Sequence, residues 1–223
     1  MQLPNAAGFL LAAIALSACA HATDDAFVAA ASRLRPSVVL VSTEIGGRAE
    51  YASGIVVASG TFGSDILTVQ HVLEAGRRLR VTVNDSERLP ATAIASDRSL
   101  DLALVRIHRS KLPVAALGND AVAEPGRVVG LLGYPVPDQF GFAGLGLRSS
   151  TDAGIISAIR HDALEVRLPI VPGESGGPVF LADTGSIVGV AESRFEAEPS
   201  IGFAVPIAAA KAFLHRYDAA HGL

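Results

Sequence analysis

One serine in this 223-residue chain stands in a segment suited to nucleophilic chemistry. Ser175 lies within the run Pro172–Pro178, where glycines on both sides leave it accessible and allow neighbouring backbone N–H groups unusual directions. Two N–H groups that converge on one point form an oxyanion hole, which stabilises negative charge on a substrate carbonyl oxygen. A serine hydroxyl is a weak nucleophile at neutral pH, so it needs a base, and histidine titrates in the right range.

Two upstream residues are candidates to complete such a site. His71 follows the β-type segment Ile66–Val69, which would hold it at the end of a strand. Asp101 interrupts an apolar stretch, and an acid there is costly to bury unless a donor such as a histidine N–H binds it. Taken alone, His71 also fits an ordinary core or surface histidine. Asp101 equally fits the turn that begins at Asp97, a competing carboxylate whose polar neighbours indicate simple solvation.

The serine run also matches G-x-S-x-G, the nucleophile elbow of α/β-hydrolases. That elbow requires a helix directly after the serine, whereas Pro178 follows Ser175 by three residues and leads into β-type Val179. The hydrolase order would also place the base after the serine, which leaves His215 or His221. The pattern therefore favours a different fold, and an esterase or lipase is the weaker alternative.

The elements that must position these residues are short runs rich in Val, Ile and Thr, separated by Gly, Asn, Asp or Ser. They cover Ser37–Thr43, Ser53–Ala58, Ile66–Val69, Leu79–Val83, Ala91–Ala95, Ala103–Ile107, Val128–Leu132, Gly154–Ile159, Leu164–Leu168, Pro178–Leu181, Ile187–Ala191 and Phe203–Val205. No helical pattern of useful length separates them, which favours all-β barrels or sandwiches. Helices are predicted at residues 24–34, ending before Pro36, and at residues 206–217.

The order His71, Asp101, Ser175, with Gly-Glu-Ser-Gly-Gly-Pro around the serine, resembles the trypsin-like serine peptidases, and among them the HtrA/Deg type. Matching stretches run along most of the chain: Thr68–Val72, Asp101–Ile107, Ala116–Asp120, Val129–Pro135, Ala153–Arg160, Gly173–Val179, Ile187–Val190 and Ile201–Ile207. The resemblance implies an all-β peptidase domain at residues 24–223. It would hold two six-stranded antiparallel barrels, at residues 36–110 and 115–205, and the helix at 206–217.

The resemblance also implies the role of each site residue. Ser175 would be the nucleophile of a serine endopeptidase, His71 the general base and then acid, and Asp101 the carboxylate that orients the histidine. The backbone N–H groups of Gly173 and Ser175 would stabilise the oxyanion of an intermediate on the way to an acyl-enzyme. The partner is a polypeptide, unfolded or exposed, and no metal or organic cofactor is required.

Residues shortly before the nucleophile line the primary substrate pocket in this family. Here they are Pro169, Ile170 and Val171, which carry no charge and imply a small or medium apolar substrate side chain. Glu192, near the opposite wall, would modify that preference.

Several positions depart from the family pattern. Gln70 replaces a small residue and would crowd the cleft, while Glu174 replaces Asn or Asp and would alter the oxyanion loop. These departures motivate an alternative function, a weak or inactive protease fold that serves as an envelope chaperone or binding protein. The Gly-rich segment Asp138–Leu147 is interpreted as a substrate loop or as a loop packed on the second barrel. Because the chain stops at Leu223, no PDZ module is expected.

The first residues resemble a targeting signal. Gly8–Leu16 is a continuous apolar run, too short to span a bilayer, and small residues follow it, although no Lys or Arg precedes it. Its end, Leu-Ser-Ala-Cys19, resembles a bacterial lipobox, which predicts a signal at residues 1–18 and a lipid anchor on Cys19. Cleavage after Ala20 or Ala22 is the alternative and would remove the cysteine. The lipobox predicts a periplasm-facing lipoprotein anchored in the cell envelope, and the alternative cleavage predicts a secreted or soluble periplasmic protein.

Composition excludes several other classes of protein. The net charge is −4, no Lys/Arg-rich run occurs and Trp is absent, so nucleic acid is not an expected partner. One cysteine in the whole chain excludes an intrachain disulfide framework and zinc sites built on paired cysteines.

Overall fold

The computed structural model describes residues 25–74, 76–194 and 196–221, so the signal, the proposed cleavage sites and Cys19 lie outside the described part. The strands are β1 Val38–Ile45, β2 Arg48–Gly60, β3 Gly63–Val69, β4 Arg77–Val83, β5 Glu87–Asp97, β6 Leu102–Ile107, β7 Val128–Gly133, β8 Ser150–Ile159, β9 Leu164–Arg167, β10 Pro178–Leu181, β11 Ile187–Arg194 and β12 Ile201–Pro206. Helix α1 covers residues 25–34, α2 Pro137–Phe142 and α3 Ile207–His221.

The strands close into two six-stranded antiparallel barrels. Their strand orders are β1-β2-β3-β6-β5-β4 and β10-β11-β12-β9-β8-β7. Closure removes exposed sheet edges, which explains how so many short β-type runs coexist in one chain. The predicted fold class is therefore confirmed, and the boundary between barrels falls between Ile107 and Val128.

Each barrel has its own apolar core, and a third core joins the barrels to the helices. That shared core contains Ala30 of α1, Leu104 of the first barrel, Phe180 of the second and Phe213 of α3. The ring of Phe27 in α1 stacks on Phe180 with the centroids 5.7 Å apart. The helices thus fix the two barrels relative to each other, and with them the cleft between the barrels.

We expect Phe180→Ala to lower the free energy of unfolding by about 3–5 kcal/mol, because a fully buried ring is replaced by a cavity in the shared core. Urea unfolding in a Ser175→Ala background, which avoids self-cleavage, measures the change. Phe62→Ala is the matched control, since Phe62 is 88% exposed and its removal should change the value by less than about 0.5 kcal/mol. Equal effects of the two changes would contradict this assignment of the core.

The elements differ from the sequence predictions mainly in length. β2 begins at Arg48 rather than Ser53, because Gly46 and Gly47 have positive φ angles and form a tight hairpin that lets pairing with β1 continue. α3 extends beyond residue 217 to His221. None of the helices within the described ranges has both the length and the apolar composition needed to cross a membrane.

Segment Asp138–Leu147, interpreted as a loop, contains most of the short helix α2. The segment does not pack fully on the second barrel, since Phe142 is 93% and Leu145 69% exposed. The glycines in this segment led to its prediction as a loop, because glycine has a low helix propensity.

Candidate active site

Strand ends bring the three candidate residues to the cleft between the barrels. His71 follows β3 by two residues, and Asp101 immediately precedes β6. β3 and β6 are paired with Val69 opposite Leu102, so the residues just beyond this pair meet. Ser175 stands three residues before β10, in the second barrel.

His71 and Asp101 are joined by two hydrogen bonds. The ring Nδ1 of His71 lies 2.6 Å from Asp101 Oδ2, and the His71 backbone N–H donates to Oδ1 at 2.8 Å. The backbone N–H of Gln70 donates to the carbonyl oxygen of Asp101 at 3.0 Å. Asp101 adopts this position with a φ of 49°, a left-handed conformation that aspartate tolerates better than most residues. With Nδ1–H donating to the carboxylate, Nε2 of the neutral ring is left as a proton acceptor.

Surrounding carboxylates tune the histidine. The hydrogen bond to Asp101 raises the pKa of His71, partial burial opposes this, and the negative charges of Asp101, Glu192 and Glu50 raise it further. Burial, followed by the charge of Asp101, raises the pKa of Glu192 as well. His71 thus loses its proton at a higher pH than an unperturbed histidine.

We expect Glu192→Gln to lower the pKa of His71, because a negative charge that favours the imidazolium is removed. The acid limb of kcat/KM should therefore move to lower pH, since the base becomes neutral sooner as pH rises. The measurement is a pH profile on a neutral fluorogenic peptide. Glu198→Gln, in the turn before β12, is the control and should leave the limb in place. An unmoved or raised limb in Glu192→Gln would contradict the electrostatic account.

The turn that carries Ser175 is tied to both barrels. The carbonyl oxygen of Ser175 accepts the N–H of Ser53 in β2 at 2.7 Å, and the N–H of Gly176 donates to Ala191 in β11 at 2.6 Å. Gly176 has a φ of 88°, and a Cβ there would lie 2.1 Å from the Ser53 carbonyl oxygen. Glycine is therefore required at this position, and Ser175 is held at the junction of the barrels.

Two backbone N–H groups beside the serine are available to a ligand. No hydrogen bond among the described residues uses the N–H of Gly173 or of Ser175. The carbonyl of Pro172 accepts the N–H of Val136 at 2.8 Å, so the N–H on the other side of that peptide plane, from Gly173, points the opposite way. Gly173 has a φ of 100°, and a Cβ there would lie 2.2 Å from the Tyr134 carbonyl oxygen.

His71 and Ser175 line one cavity of about 290 Å³. Ser175 Oγ makes no hydrogen bond within the described ranges, so the two side chains share a cleft without direct bonding. Catalytic hydrogen bonds often tighten only when substrate binds, and the arrangement suits attack on a carbonyl placed between them.

The predicted pocket residues divide into two groups. Ile170 and Glu192 line the cleft, as does Pro172. Pro169 is exposed and does not line it, and neither does Val171, whose N–H is turned toward the Glu174 carboxyl. Of the three uncharged residues that the sequence suggested for the pocket, only Ile170 lines the cleft.

The two departures from the family pattern leave the cleft open. Gln70 is not among the residues that line it, so the expected crowding does not occur. Glu174 is only 1% exposed and points into the protein rather than toward substrate. Glu174 therefore contacts segment 171–175 from inside the protein and not from the cleft.

Sequence reasoning missed Ser53, treated only as the start of a strand. Its Oγ donates to the Gly173 carbonyl oxygen at 2.7 Å and accepts the Tyr134 N–H at 2.9 Å, while its carbonyl accepts the Thr68 hydroxyl. It is completely buried. A polar residue in the middle of an observed strand was the available signal, but its partners are 81 and 120 residues away.

Comparison with known proteins agrees with this geometry. A family model described as a trypsin-like peptidase domain matches residues 52–190. Serine protease HTRA2, mitochondrial, of Drosophila persimilis is 34% identical over 182 residues, which are 75% of this chain and 39% of that protein. A DegP-like periplasmic serine endoprotease of Halomonas elongata is 29% identical over 171 residues, 72% of this chain and 33% of that protein.

Solved structures give the same grouping. The serine endoprotease from Yersinia pestis aligns with a TM-score of 0.73 and 29% identity over 86% of this chain and 66% of that one. The HtrA-type protease AlgW with tripeptide aligns with a TM-score of 0.72 and 27% identity over 88% of this chain and 64% of that one. The chain spans less than half the length of the curated relatives described above. Its barrels, its cleft and these matches show that the chain belongs to the trypsin-like serine peptidases, in their HtrA type.

Proposed function

We propose that this protein is a serine endopeptidase of the cell envelope that cleaves peptide bonds through an acyl-enzyme on Ser175. One observation carries the proposal: the hydrogen-bonded His71–Asp101 pair lines the same cleft as Ser175, beside two backbone N–H groups without partners among the described residues. A nucleophile, an oriented base and an oxyanion site are the three parts that acyl transfer needs.

The reaction follows from these positions. His71 Nε2 accepts the proton of Ser175 Oγ as the oxygen attacks the substrate carbonyl carbon, and Asp101 stabilises the imidazolium that forms. The N–H groups of Gly173 and Ser175 donate to the developing oxyanion. The imidazolium then gives its proton to the leaving amine as the peptide bond breaks. Water, deprotonated by the same histidine, then attacks the ester carbonyl, and His71 returns that proton to Ser175 Oγ as the carboxylic acid product leaves.

The proposed substrate is unfolded or exposed polypeptide, with a small or medium apolar residue before the cleaved bond. The cleft is an open groove, and the buried side chain of Ile170 contributes an uncharged wall to it. Glu192, on the other side, favours peptides without an acidic residue next to this position.

The proposed location rests on the leader and on one relative. The apolar run and the lipobox-like Leu-Ser-Ala-Cys19 support export and a lipid anchor on Cys19. The Halomonas relative is named as a periplasmic protein. Periplasmic placement, with Cys19 joined to the membrane, is accordingly part of the proposal.

Digestion of unfolded casein tests the proposed function. We expect wild type to produce fragments that the Ser175→Ala variant does not, and a lipid ester to be a poorer substrate than peptide. If wild type cleaves neither casein nor a peptide library but both forms prevent aggregation of casein, the protein is instead an envelope chaperone on a protease fold. Preference for the lipid ester would contradict the peptidase assignment.

A further inference from the structure

The residue before the nucleophile carries a buried carboxyl group that the mechanism above does not use. Glu174 is 1% exposed and lies under the segment 171–175, here called the oxyanion loop. Its Oε2 accepts the N–H of Val171 at 3.0 Å, and its backbone N–H donates to the Val171 carbonyl at 3.1 Å. Its Oε1 is buried without a hydrogen-bond donor within the described ranges. As a carboxylate it would leave one oxygen unsatisfied, which is costly inside a protein.

None of the described residues places a positive charge beside Glu174 that lowers its pKa. Among the described residues, Asp152 from β8 is the charged neighbour that raises the pKa of Glu174, through its negative charge and through hydrogen bonding between the two carboxyl groups. From β7, Gly133 packs against it: a Cβ on this glycine would lie 3.1 Å from both Cα and Cβ of Glu174. Ser53, from β2, has its hydroxyl occupied by Gly173 and Tyr134.

A proton on Oε1 resolves both problems at once. In the protonated form Oε2 still accepts the Val171 N–H, and the carboxyl O–H becomes a donor for which the Asp152 carboxylate is the neighbouring acceptor. Without that proton, two negative groups face each other and one of them is buried. The oxyanion loop is therefore braced against β8 only in the protonated form.

We propose that Glu174 is a positioning residue that braces the oxyanion loop through its protonated carboxyl group, and that losing this proton disables the loop. The proposal rests on the function proposed above, because Gly173 and Ser175 are the donors that the brace would hold. Glu174 touches neither substrate nor reacting atoms in this scheme. It acts through the placement of the two N–H groups.

The direction of the pH effect follows from the shift of this group. Burial, with a further contribution from the charge of Asp152, raises the pKa of Glu174 to about 7, although the Val171 N–H opposes the rise. Activity should fall as pH rises through that value. At lower pH, activity should rise with pH as His71 loses its proton. Wild type should therefore be active only in a narrow pH interval around the pKa values of His71 and Glu174.

Two substitutions test whether the fall of kcat/KM at high pH comes from the loss of the Glu174 proton or from another cause. In Glu174→Gln the amide oxygen can accept the Val171 N–H while the amide nitrogen donates to Asp152 at every pH. In Asp152→Asn the ionised Glu174 gains a donor and loses its negative neighbour. Asp162→Asn is the matched control, because Asp162 is an exposed carboxylate in the turn between β8 and β9 that pairs with His161.

The test is kcat/KM on a neutral fluorogenic peptide from pH 5 to 9.5. A single group with a pKa of about 7 is only a few per cent protonated at pH 8.5. The kcat/KM of wild type and of Asp162→Asn, each divided by that of Glu174→Gln to cancel the titration of His71, should therefore be at least about tenfold lower at pH 8.5 than at pH 5.5. Glu174→Gln and Asp152→Asn should lose less than about threefold from their maximum at pH 8.5. The proposal would be overturned if kcat/KM of wild type did not fall at high pH, or if the same fall persisted in both Glu174→Gln and Asp152→Asn.

Stability provides a readout that does not need activity. Glu174 has a higher pKa in the folded chain than in the unfolded chain, so the folded state binds more protons between pH 4.5 and about 7. As the pH rises across this interval, the urea midpoint of Ser175→Ala should therefore fall relative to the urea midpoint of Ser175→Ala/Glu174→Gln. If no form hydrolyses peptide, the proposed function fails, but this stability comparison still tests the role of Glu174. Urea midpoints that change in parallel with pH in the two proteins would refute that role.

Discussion

Replacing Ser175 by alanine should lower kcat on a peptide substrate by about 10⁴-fold or more, with KM changed only a few-fold. The hydroxyl is the atom that forms the acyl-enzyme, whereas the walls of the cleft that bind substrate are untouched. Ser175 Oγ makes no hydrogen bond in the described structure, so the free energy of unfolding should change by less than about 0.5 kcal/mol. Steady-state kinetics and urea unfolding measure the two quantities.

Ser193→Ala is the matched control for that change. Ser193 also lines the cleft and is exposed, but it belongs to β11 rather than to the turn that carries Gly173 and Ser175. We expect its kcat to stay within about threefold of wild type. Residual hydrolysis above one per cent in a carefully purified Ser175→Ala preparation would mean that another group performs the chemistry.

Replacing Asp101 by asparagine should lower kcat by about 10⁴-fold at neutral pH. One carboxylate oxygen accepts the backbone N–H of His71, and the other accepts Nδ1–H. If the amide oxygen keeps the backbone contact, the amide N–H faces Nδ1 and favours the opposite tautomer. Nε2 then carries the proton and cannot accept one from Ser175, so the base is lost although the shape is kept.

Asp97→Asn provides the comparison that separates chemistry from folding. Asp97 accepts hydrogen bonds from the backbone N–H groups of Ser99 and Leu100, and it pairs with Arg216 of α3 at 2.6 Å. We expect a loss of about 1 kcal/mol of stability with kcat within about twofold of wild type. If the two asparagine variants lost kcat equally, Asp101 would have no special part in orienting His71.

The fold could be predicted because its main signals are local. Val, Ile and Thr runs bounded by glycine and polar turns mark each strand, and the lack of intervening helices favours barrels or sandwiches. The choice of two closed barrels came from the resemblance to the trypsin-like peptidases. The pairing of His71 with Asp101 was predictable in outline, since His71 followed a β-type run and Asp101 was an acid within an apolar stretch that needed a donor. Asp97 was expected to be simply solvated, yet it joins its turn to α3 through Arg216, a contact that spans 119 residues.

The supports of the site were not predictable because they depend on distant contacts. Glu174 looked like a disturbance of the oxyanion loop, but its side chain is buried beside Gly133 of β7 and near Asp152 of β8, neighbours about 20 to 40 residues away in sequence. Ser53 connects the loop to the first barrel through a partner 120 residues away. No spacing rule in one sequence contains this information. Of the pocket residues, Ile170 and Glu192 line the cleft because β11 and the end of β9 flank it.

The central claim is that Ser175 is an activated nucleophile in a working oxyanion site. Intact-protein mass spectrometry after incubation with a fluorophosphonate, followed by peptide mapping, tests it most directly. We predict one adduct per chain on the peptide that contains Ser175, none in Ser175→Ala, and strongly slowed labelling in Asp101→Asn. Folded wild type that remains unlabelled from pH 5 to 9, with or without added peptide, or an adduct on a different residue, would contradict the account.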